Sequence, residues 1–271
     1  MNAVLFVATL LLYLAASAAY LAFLVKPREV LGKVSRWVLT GGFAVHAVYT
    51  VDRYIEAGYT PITNLHESLS FFGLAIAGVY LVFERKYRTI ILGSFITPLV
   101  LLILIGSTGF PTAISPLNPV LKSRWLAIHT VMAFLGYAAF AVAFGAAIMY
   151  LIQEHFLKNK KLGALYQKLP SLDVLDEINY RCLTLGFPLL TFAIISGAIW
   201  AETAWGTYWS WDPKETWSLI TWFVYAALLH GRLTTGWRGK KAAWLAIIGF
   251  FVLLFTFLGV NLFMSGLHSY K

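Results

Sequence analysis

The residues of this chain best suited to chemistry form a tryptophan-dense stretch. Residues 205–217 read Trp-Gly-Thr-Tyr-Trp-Ser-Trp-Asp-Pro-Lys-Glu-Thr-Trp and lie between two apolar runs of membrane-spanning length. Four tryptophans in thirteen residues exceed what an anchor belt at a membrane interface requires. We therefore predict a rigid aromatic shelf on which a planar ligand stacks, with Trp205, Tyr208, Trp209 and Trp211 as its candidate members.

The same stretch contains a helix-start signal. Asp212 at the N-cap, Pro213 at the first helical position and Glu215 at the third predict a capping box for the helix that follows. This local role accounts for Asp212 and Glu215 without any ligand. It does not account for the tryptophans before the cap, so Asp212 is also kept as a candidate ligand-binding residue.

Two histidines are candidate metal ligands on the same side of the membrane as the aromatic shelf. His129 lies about one turn inside the fifth apolar segment, and His268 follows the eighth. A haem held edge-on against the shelf, with its iron between the two imidazoles, satisfies these placements. Paired histidines are typical of low-spin haem held without covalent attachment. Alternatively, each histidine is hydrogen-bonded to a loop at the interface.

Two further histidines fall within apolar segments. His46 lies inside the second segment, and His230 ends the seventh. Ionisable side chains in a membrane span are costly and indicate a function. His46 lies deeper than His230 when counted at ~1.5 Å of rise per residue, so a hydrogen bond to a neighbouring helix is its alternative role. We interpret His66 as aromatic packing near the pocket and His155 as a solvated loop residue.

Cationic side chains near the predicted site are candidates for binding the propionates of a haem. Lys122 and Arg124 precede the fifth segment, and Lys214 lies within the Trp-rich stretch. Arg232 and Arg238 hold comparable positions at the other membrane face. All five are equally explained as charges that set the membrane topology.

The composition is that of an integral membrane protein. Of the 271 residues, 59% are hydrophobic and 12% are charged, which is about half the charged fraction of soluble domains. The apolar runs are continuous instead of alternating, and this favours helices over a β-barrel. Because the first run precedes Lys26 and Arg28, the reverse of the order in a cleavable signal peptide, we expect it to be retained.

Cysteine usage limits the possible sites. Cys182 is the only cysteine, which excludes an internal disulfide and a cysteine-based zinc cluster. The chain has no Cys-x-x-Cys-His sequence, so any haem that it binds is held by coordination and packing. We expect Cys182 and Asn261 to serve packing between helices.

The apolar segments predict an all-α membrane helix bundle of about eight transmembrane helices in a single membrane domain, residues 1–271. After Ser171 the sequence predicts a short amphipathic helix on the membrane surface. The predicted spans are approximately 3–25, 37–55, 67–83, 89–106, 125–152, 182–200, 214–231 and 242–264.

The distribution of charge predicts the orientation of the bundle. The loops 26–36, 84–88, 153–181 and 231–241 hold 16 of the 21 lysines and arginines. By the positive-inside rule these loops are cytoplasmic, and both termini and the Trp-rich loop 200–214 lie outside. The net charge of +9 is therefore topological and does not indicate a nucleic-acid surface.

The Trp-rich stretch resembles the WWD signature of haem-handling membrane proteins. The whole chain resembles the CcsA/ResC family of cytochrome c biogenesis proteins, a part of the System II cytochrome c synthase. The likeness extends to Thr63-Asn64-Leu65-His66-Glu67-Ser68-Leu69, to residues 186–200 and to residues 259–270. The family often has an aromatic residue at the position of His66, so the imidazole there is a departure.

The resemblance implies a route for haem and a reaction. Haem b, bound without covalent attachment, would enter at an intramembrane site with His230 and His46 as iron ligands. It would then rest between His129 and His268, where the thiols of an apocytochrome Cys-x-x-Cys-His motif add to its vinyl groups.

The resemblance also implies partners and a location. The chain would be the haem-binding subunit of a holocytochrome c synthase, or cytochrome c haem lyase, and would act with a CcsB/ResB-type membrane protein. We expect it in the bacterial cytoplasmic membrane rather than the thylakoid. Two alternatives stay open: a CcmC-like subunit that passes haem to a chaperone, and a membrane subunit whose b-type haems transfer electrons.

Overall fold

The chain folds into a bundle of long helices. The computed structural model describes residues 2–114, 119–160 and 163–266, and within these ranges there are ten α-helices and no β-strand. A π-helical turn, Phe255–Gly259, joins the last two helices into one continuous segment. The helices are Asn2–Val25 (α1), Glu29–Ala57 (α2), Leu65–Tyr87 (α3), Gly93–Ser107 (α4), Arg124–Lys158 (α5), Ala164–Lys168 (α6), Leu172–Trp205 (α7), Pro213–Thr234 (α8), Lys240–Leu254 (α9) and Val260–Phe263 (α10).

The all-helical membrane bundle predicted from the sequence is confirmed, but the count of eight spans is not. Six helical segments of the described chain are long and apolar enough to cross a membrane. Helices α2 and α8 are of comparable length, with 29 and 22 residues, but they are more polar. Each of them includes a histidine and several charged or hydroxyl side chains.

Several helices are longer than the apolar pattern predicts. Helix α7 begins at Leu172, and the hydroxyl of Ser171 accepts a hydrogen bond from the backbone N–H of Val174 at 3.4 Å. The separate surface helix predicted after Ser171 is therefore wrong, because this segment forms the first turns of α7. The same helix continues to Trp205, so this tryptophan ends a helix and is not part of a loop.

Long helices that follow one another in the chain run in opposite directions, which gives the bundle two distinct ends. The Asn2 amide donates to Glu56, so α1 starts where α2 ends. At the opposite end the Lys168 ammonium donates to the backbone oxygen of Val25 at 2.6 Å. We call the end with the connections 58–64 and 206–212 the Trp-loop end, and the end with the connections 26–28 and 235–239 the basic end.

Helices α5 and α7 form the most extensive helix pair and pack backbone against backbone. A Cβ atom added to Gly136 would lie 3.1 Å from the Gly186 carbonyl oxygen, and one added to Gly186 would lie 3.0 Å from the Gly136 oxygen. Small residues permit such close approach within membranes, where packing drives helix association. Phe140 of α5 stacks on Tyr225 of α8 with ring centroids 3.6 Å apart, so α8 joins the same core.

We predict that Gly186→Ala destabilises the bundle. The added methyl group would lie 2.7 Å from Phe140 as well as against the Gly136 carbonyl, so the two helices must separate. We expect a loss of about 1–3 kcal/mol, measured as a lower thermal unfolding midpoint of the purified protein in detergent. Gly41→Ala is the control, because nothing lies within 4 Å of its added Cβ. Equal midpoints for the two variants would contradict this account of the helix pair.

Candidate functional site

A cavity opens at the Trp-loop end between α5, α7, α8 and the π-helical turn. It has a volume of about 390 Å³ and is lined mainly by apolar and aromatic side chains. A few polar groups converge on it, as is typical of ligand sites in helical bundles. The apolar wall includes Leu126, Ala133, Phe134, Leu190, Ile194 and Phe257, and the polar and aromatic groups include Thr63, His129, Trp200, Tyr208, Trp209, Lys214 and Glu215.

His129 lines this cavity and is oriented by the backbone of α7. Its Nδ1 lies 2.7 Å from the Ala193 carbonyl oxygen, which can only accept a hydrogen bond. Nδ1 therefore carries the proton of the neutral ring, and the lone pair is on Nε2, as in metal-binding histidines held by a backbone carbonyl. The ring fits here because position 197 is glycine: a Cβ at Gly197 would lie 2.6 Å from Nδ1.

The structure brings only part of the predicted aromatic shelf to the cavity. Tyr208 and Trp209 line it, and so does Trp200, which is not among the predicted shelf residues. Trp205 packs edge-on against Trp200, with ring centroids 5.0 Å apart, and supports the wall from behind. Trp200 lies inside the motif 186–200, but an apolar helix offers no signal that separates a cavity tryptophan from a packed one.

Trp211 does not line the cavity, unlike the predicted shelf residues Tyr208 and Trp209. Its side chain is 69% exposed, and its φ of 58° lies in the left-handed region, which is rare for a bulky residue. This backbone turn directs Trp211 away from the cavity, and it contacts the cavity-lining Trp209 only edge-on, at 5.8 Å between ring centroids. A strained conformation of this kind is not visible in residue types or spacing.

The capping box predicted for α8 is confirmed. The Asp212 carboxylate accepts from the backbone N–H of Lys214 at 3.0 Å, and the Glu215 carboxylate accepts from the backbone N–H groups of Asp212 and Ser210 at 3.2 and 2.8 Å. Asp212 is not among the residues that line the cavity, whereas Glu215 is. The two carboxylates therefore fix the loop that presents Trp209.

Lys214 is the cationic group that the structure places in the cavity wall. Its ammonium donates to the Asn261 side-chain oxygen at 3.2 Å. The Asn261 amide donates in turn to the Phe257 carbonyl oxygen in the π-helical turn. Arg124 and Lys122 are exposed and do not line the cavity, so their proposed role toward a propionate stays a prediction.

His268, the other predicted iron ligand of this site, lies outside the described residues. The described chain leads toward the Trp-rich loop: a Cβ added to Gly266 would contact the Asp212 carboxylate. His268 follows Gly266 by two positions in the sequence. The assignment of His268 therefore stays a prediction.

The structure does not bring His46 and His230 together. His46 is fully buried, and its two ring nitrogens lie 3.2 Å from the Tyr13 hydroxyl of α1 and 2.9 Å from the Ser70 hydroxyl of α3. His230 is exposed on α8, which packs on α7 and α9. The predicted pairing of the two imidazoles is corrected accordingly: the alternative role of His46, hydrogen bonding between helices, is the one observed.

The two remaining histidines take packing and surface positions. His66 is buried against Phe6, and its ring nitrogens lie 3.0 Å from the Tyr49 hydroxyl and 3.0 Å from the Ser107 carbonyl oxygen. His155 is exposed near the basic end, within α5 rather than in a loop. Cys182 is fully buried, and the described residues contain no cluster of ligands that would hold a bare metal ion.

Fold and site together define a polytopic helical membrane protein with an aromatic ligand cavity at one end, in which a backbone carbonyl orients an imidazole. The chain belongs to the cytochrome c assembly protein family, whose model matches residues 62–268.

Similar proteins support this assignment. The chain is 44% identical over 239 residues to the cytochrome c biogenesis protein CcsA of Guillardia theta, covering 80% of this chain and 79% of that protein. It is 42% identical over 270 residues to the CcsA protein of Microcystis aeruginosa, covering 80% and 81%. Among solved structures, the cytochrome c heme lyase CcmF matches with a TM-score of 0.68 at 19% identity. That match covers 95% of this chain but only 46% of CcmF, and it indicates a shared fold.

We predict that the Asp212 side chain acts as a helix cap and not through its charge. Asp212→Ala should lower the free energy of unfolding by about 1 kcal/mol, because the first backbone N–H groups of α8 lose their acceptor. Asp212→Asn keeps an acceptor oxygen and should unfold close to the wild-type temperature. Thermal unfolding of both variants measures this, and an Asn variant as unstable as the Ala variant would show that the negative charge is required.

Proposed function

We propose that the chain takes up haem as a substrate in the cavity at the Trp-loop end and presents it for covalent attachment to apocytochrome c. The observation that carries this proposal is the His129 imidazole, which lines an aromatic cavity while the Ala193 carbonyl oxygen holds Nδ1. Membership of the cytochrome c assembly protein family and the names of the CcsA relatives support it.

The residues present fit the chemistry of haem. The flat faces of Tyr208 and Trp209 suit a porphyrin, and the apolar wall suits its edge. The Nε2 lone pair of His129 suits iron, and the ammonium of Lys214 suits a propionate carboxylate. On this proposal His268 is the second axial ligand, and haem b is held without a covalent bond.

The proposed reaction needs orientation more than a reactive side chain. Each apocytochrome thiol adds across a haem vinyl group: a carbon–sulfur bond forms, and the thiol proton ends on the other vinyl carbon. No electrons are gained or lost overall. Holding the vinyl edge at a fixed distance from the thiols converts an encounter of separate molecules into a reaction within one complex, which is a large contribution to rate.

The proposal includes a partner and an orientation. The connections 58–64 and 206–212 at the Trp-loop end are short, so we propose that a CcsB/ResB-type membrane protein holds the apocytochrome. The concentration of lysine and arginine at the basic end supports a cytoplasmic position for that end. The Trp-loop end and both termini would then face outward, and the bacterial cytoplasmic membrane stays our predicted location.

We retain His230 alone as the proposed contact for haem that enters from the other membrane face. An exposed imidazole on a membrane-type helix favours a ligand or a partner at that surface. His46 is no longer proposed as an iron ligand, since both of its nitrogens are within hydrogen-bonding distance of Tyr13 and Ser70. The alternative of b-type haems for electron transfer required paired imidazoles at facing depths, and His46 with His230 does not supply such a pair.

We predict that His129→Ala abolishes low-spin haem binding at the Trp-loop end. The full-length protein, purified in detergent and titrated with haem, should lose its low-spin α/β bands and bind haem at least about tenfold more weakly. Added imidazole should restore the low-spin spectrum, because it replaces the missing ligand in the same space. Absorption spectroscopy measures both effects.

His155→Ala is the matched control for His129→Ala. It removes the same side chain from the same helix at the basic end, where the residue is exposed. Its haem spectrum and affinity should equal those of the wild type. If His129→Ala and His268→Ala combined still give a wild-type low-spin spectrum, the assignment of both iron ligands is wrong.

We predict that two neighbouring tryptophans differ in their effect on haem affinity. Trp209→Ala removes a wall of the cavity and should weaken haem binding about tenfold, equivalent to ~1.4 kcal/mol. Trp211→Ala removes an exposed side chain that does not line the cavity, and haem affinity should change less than about twofold. Titration of each variant with haem measures the difference, and the reverse order would contradict the position of the cavity.

A further inference from the structure

The motif Thr63-Asn64-Leu65-His66-Glu67-Ser68-Leu69 is not explained by the proposed iron ligands or the aromatic wall. In the structure it contains a buried carboxylate. Glu67 is 1% exposed, and one of its oxygens accepts from both the backbone N–H and the hydroxyl of Thr63, each at 2.9 Å. The Asn64 side chain caps α3 by accepting from the Glu67 backbone N–H at 2.9 Å. The carboxylate therefore holds the loop that precedes α3.

The other Glu67 oxygen is paired with a buried arginine of α2. Arg53 is 4% exposed, and its Nε donates to Glu67 at 2.8 Å. A second nitrogen of the same guanidinium donates to the Thr112 carbonyl oxygen, also at 2.8 Å. One planar group thus connects α2, the first turn of α3 and the connection that follows α4. A guanidinium is suited to this because its donors are fixed in one plane.

The loop that Glu67 holds contributes to the cavity wall, because Ile62 and Thr63 line the cavity from the loop before α3. Leu121, just before α5, also lines the cavity. The Ser68 hydroxyl also donates to the Ile62 carbonyl oxygen at 3.0 Å, which fixes the same loop a second time. Neither Arg53 nor Glu67 lines the cavity itself.

A second arginine–glutamate pair between the same two helices provides a comparison. At the basic end, Arg36 Nε donates to Glu84 at 2.7 Å, and Glu84 is fully buried and also accepts from Tyr20 at 2.6 Å. This pair joins helix to helix: Glu84 of α3 is held by Arg36 of α2 and Tyr20 of α1. Both pairs join an arginine of α2 to a glutamate of α3. The Arg53–Glu67 pair also holds two connections, whereas the Arg36–Glu84 pair also holds Tyr20 of α1.

We propose that Arg53 and Glu67 are a positioning pair that holds the part of the haem cavity wall formed by Ile62 and Thr63. Removing one partner leaves the other charge buried without compensation, so the loops must move to bring it water or a new partner. The wall formed by Ile62 and Thr63 then loses its fixed distance from the haem. The identity of the ligand rests on the proposed function, but the control of the wall by the pair does not.

The test compares three full-length variants in detergent. Arg53→Gln breaks the pair, Arg53→Lys keeps the positive charge but not the planar fork, and Arg36→Gln breaks the comparison pair at the basic end. Three quantities are measured: the rate at which bound haem passes to apomyoglobin, the thermal unfolding midpoint, and deuterium uptake by residues 58–64 and 108–114.

We expect Arg53→Gln to release haem about tenfold faster than the wild type, and Arg36→Gln to stay within about twofold. Arg53→Lys should have a thermal unfolding midpoint close to that of the wild type, because its ammonium still pairs with Glu67. Its haem release should stay as fast as in Arg53→Gln, because one point charge does not hold both connections. Deuterium uptake by the two connections should rise in Arg53→Gln and not in Arg36→Gln.

Other results overturn the inference. If Arg36→Gln accelerates haem release as much as Arg53→Gln, the effect follows stability and not the cavity wall. If Arg53→Lys also fails to fold, the pair is a determinant of folding only. If the wild type binds no haem through His129, the proposed function fails. Deuterium uptake then still decides whether Arg53 holds the wall.

Discussion

The site depends on one hydrogen bond, between His129 Nδ1 of α5 and the Ala193 carbonyl oxygen of α7 at 2.7 Å. A carbonyl within a helix already accepts from its own helix, so it is reached from outside only where the neighbouring backbone is uncovered. Gly197 uncovers it, since any side chain there would collide with the imidazole. The close approach of Gly136 and Gly186 brings the two helices near enough for the contact. The orientation of the imidazole therefore depends on the close packing of α5 on α7.

The charged side chains that join α2 and α3 are paired with one another, and one of these pairs also fixes the connections between helices. In an apolar medium an isolated carboxylate or guanidinium is strongly disfavoured, so each must have a partner with good geometry. Glu67 and Glu84 are buried in α3 and paired with arginines of α2, which explains why α2 is more polar than its neighbours. Part of the polar character that separates α2 from the apolar helices thus comes from its inward contacts with α3 and α1, through Arg36, His46 and Arg53.

The sequence predicts well those features that are decided within a few residues. The capping of α8 by Asp212 and Glu215 follows from local geometry and is found as predicted. A helix does start after Ser171 as predicted, but it is the long α7 and not a separate surface helix. The all-helical fold follows from continuous apolar runs. The face that each helix presents to its neighbours depends on packing across the whole bundle. The sequence pattern alone does not determine that face. His46 therefore looked like a ligand, although it bonds to α1 and α3, and Trp211 looked like part of the shelf, although a left-handed backbone turns it outward.

The π-helical turn between α9 and α10 shows how the cavity and the cation in its wall are built together. A π turn accommodates an extra residue, which changes the faces presented by the residues on either side, and such turns are frequent at functional sites. Here Thr256 reaches the Thr221 hydroxyl at 2.7 Å and Phe257 forms part of the cavity wall. One turn later Asn261 meets the ammonium of Lys214. The amide oxygen of Asn261 orients this ammonium toward the π-helical turn. A cation so placed suits a carboxylate-bearing ligand, so the same turn shapes the apolar wall and positions the cation that we propose for a haem propionate.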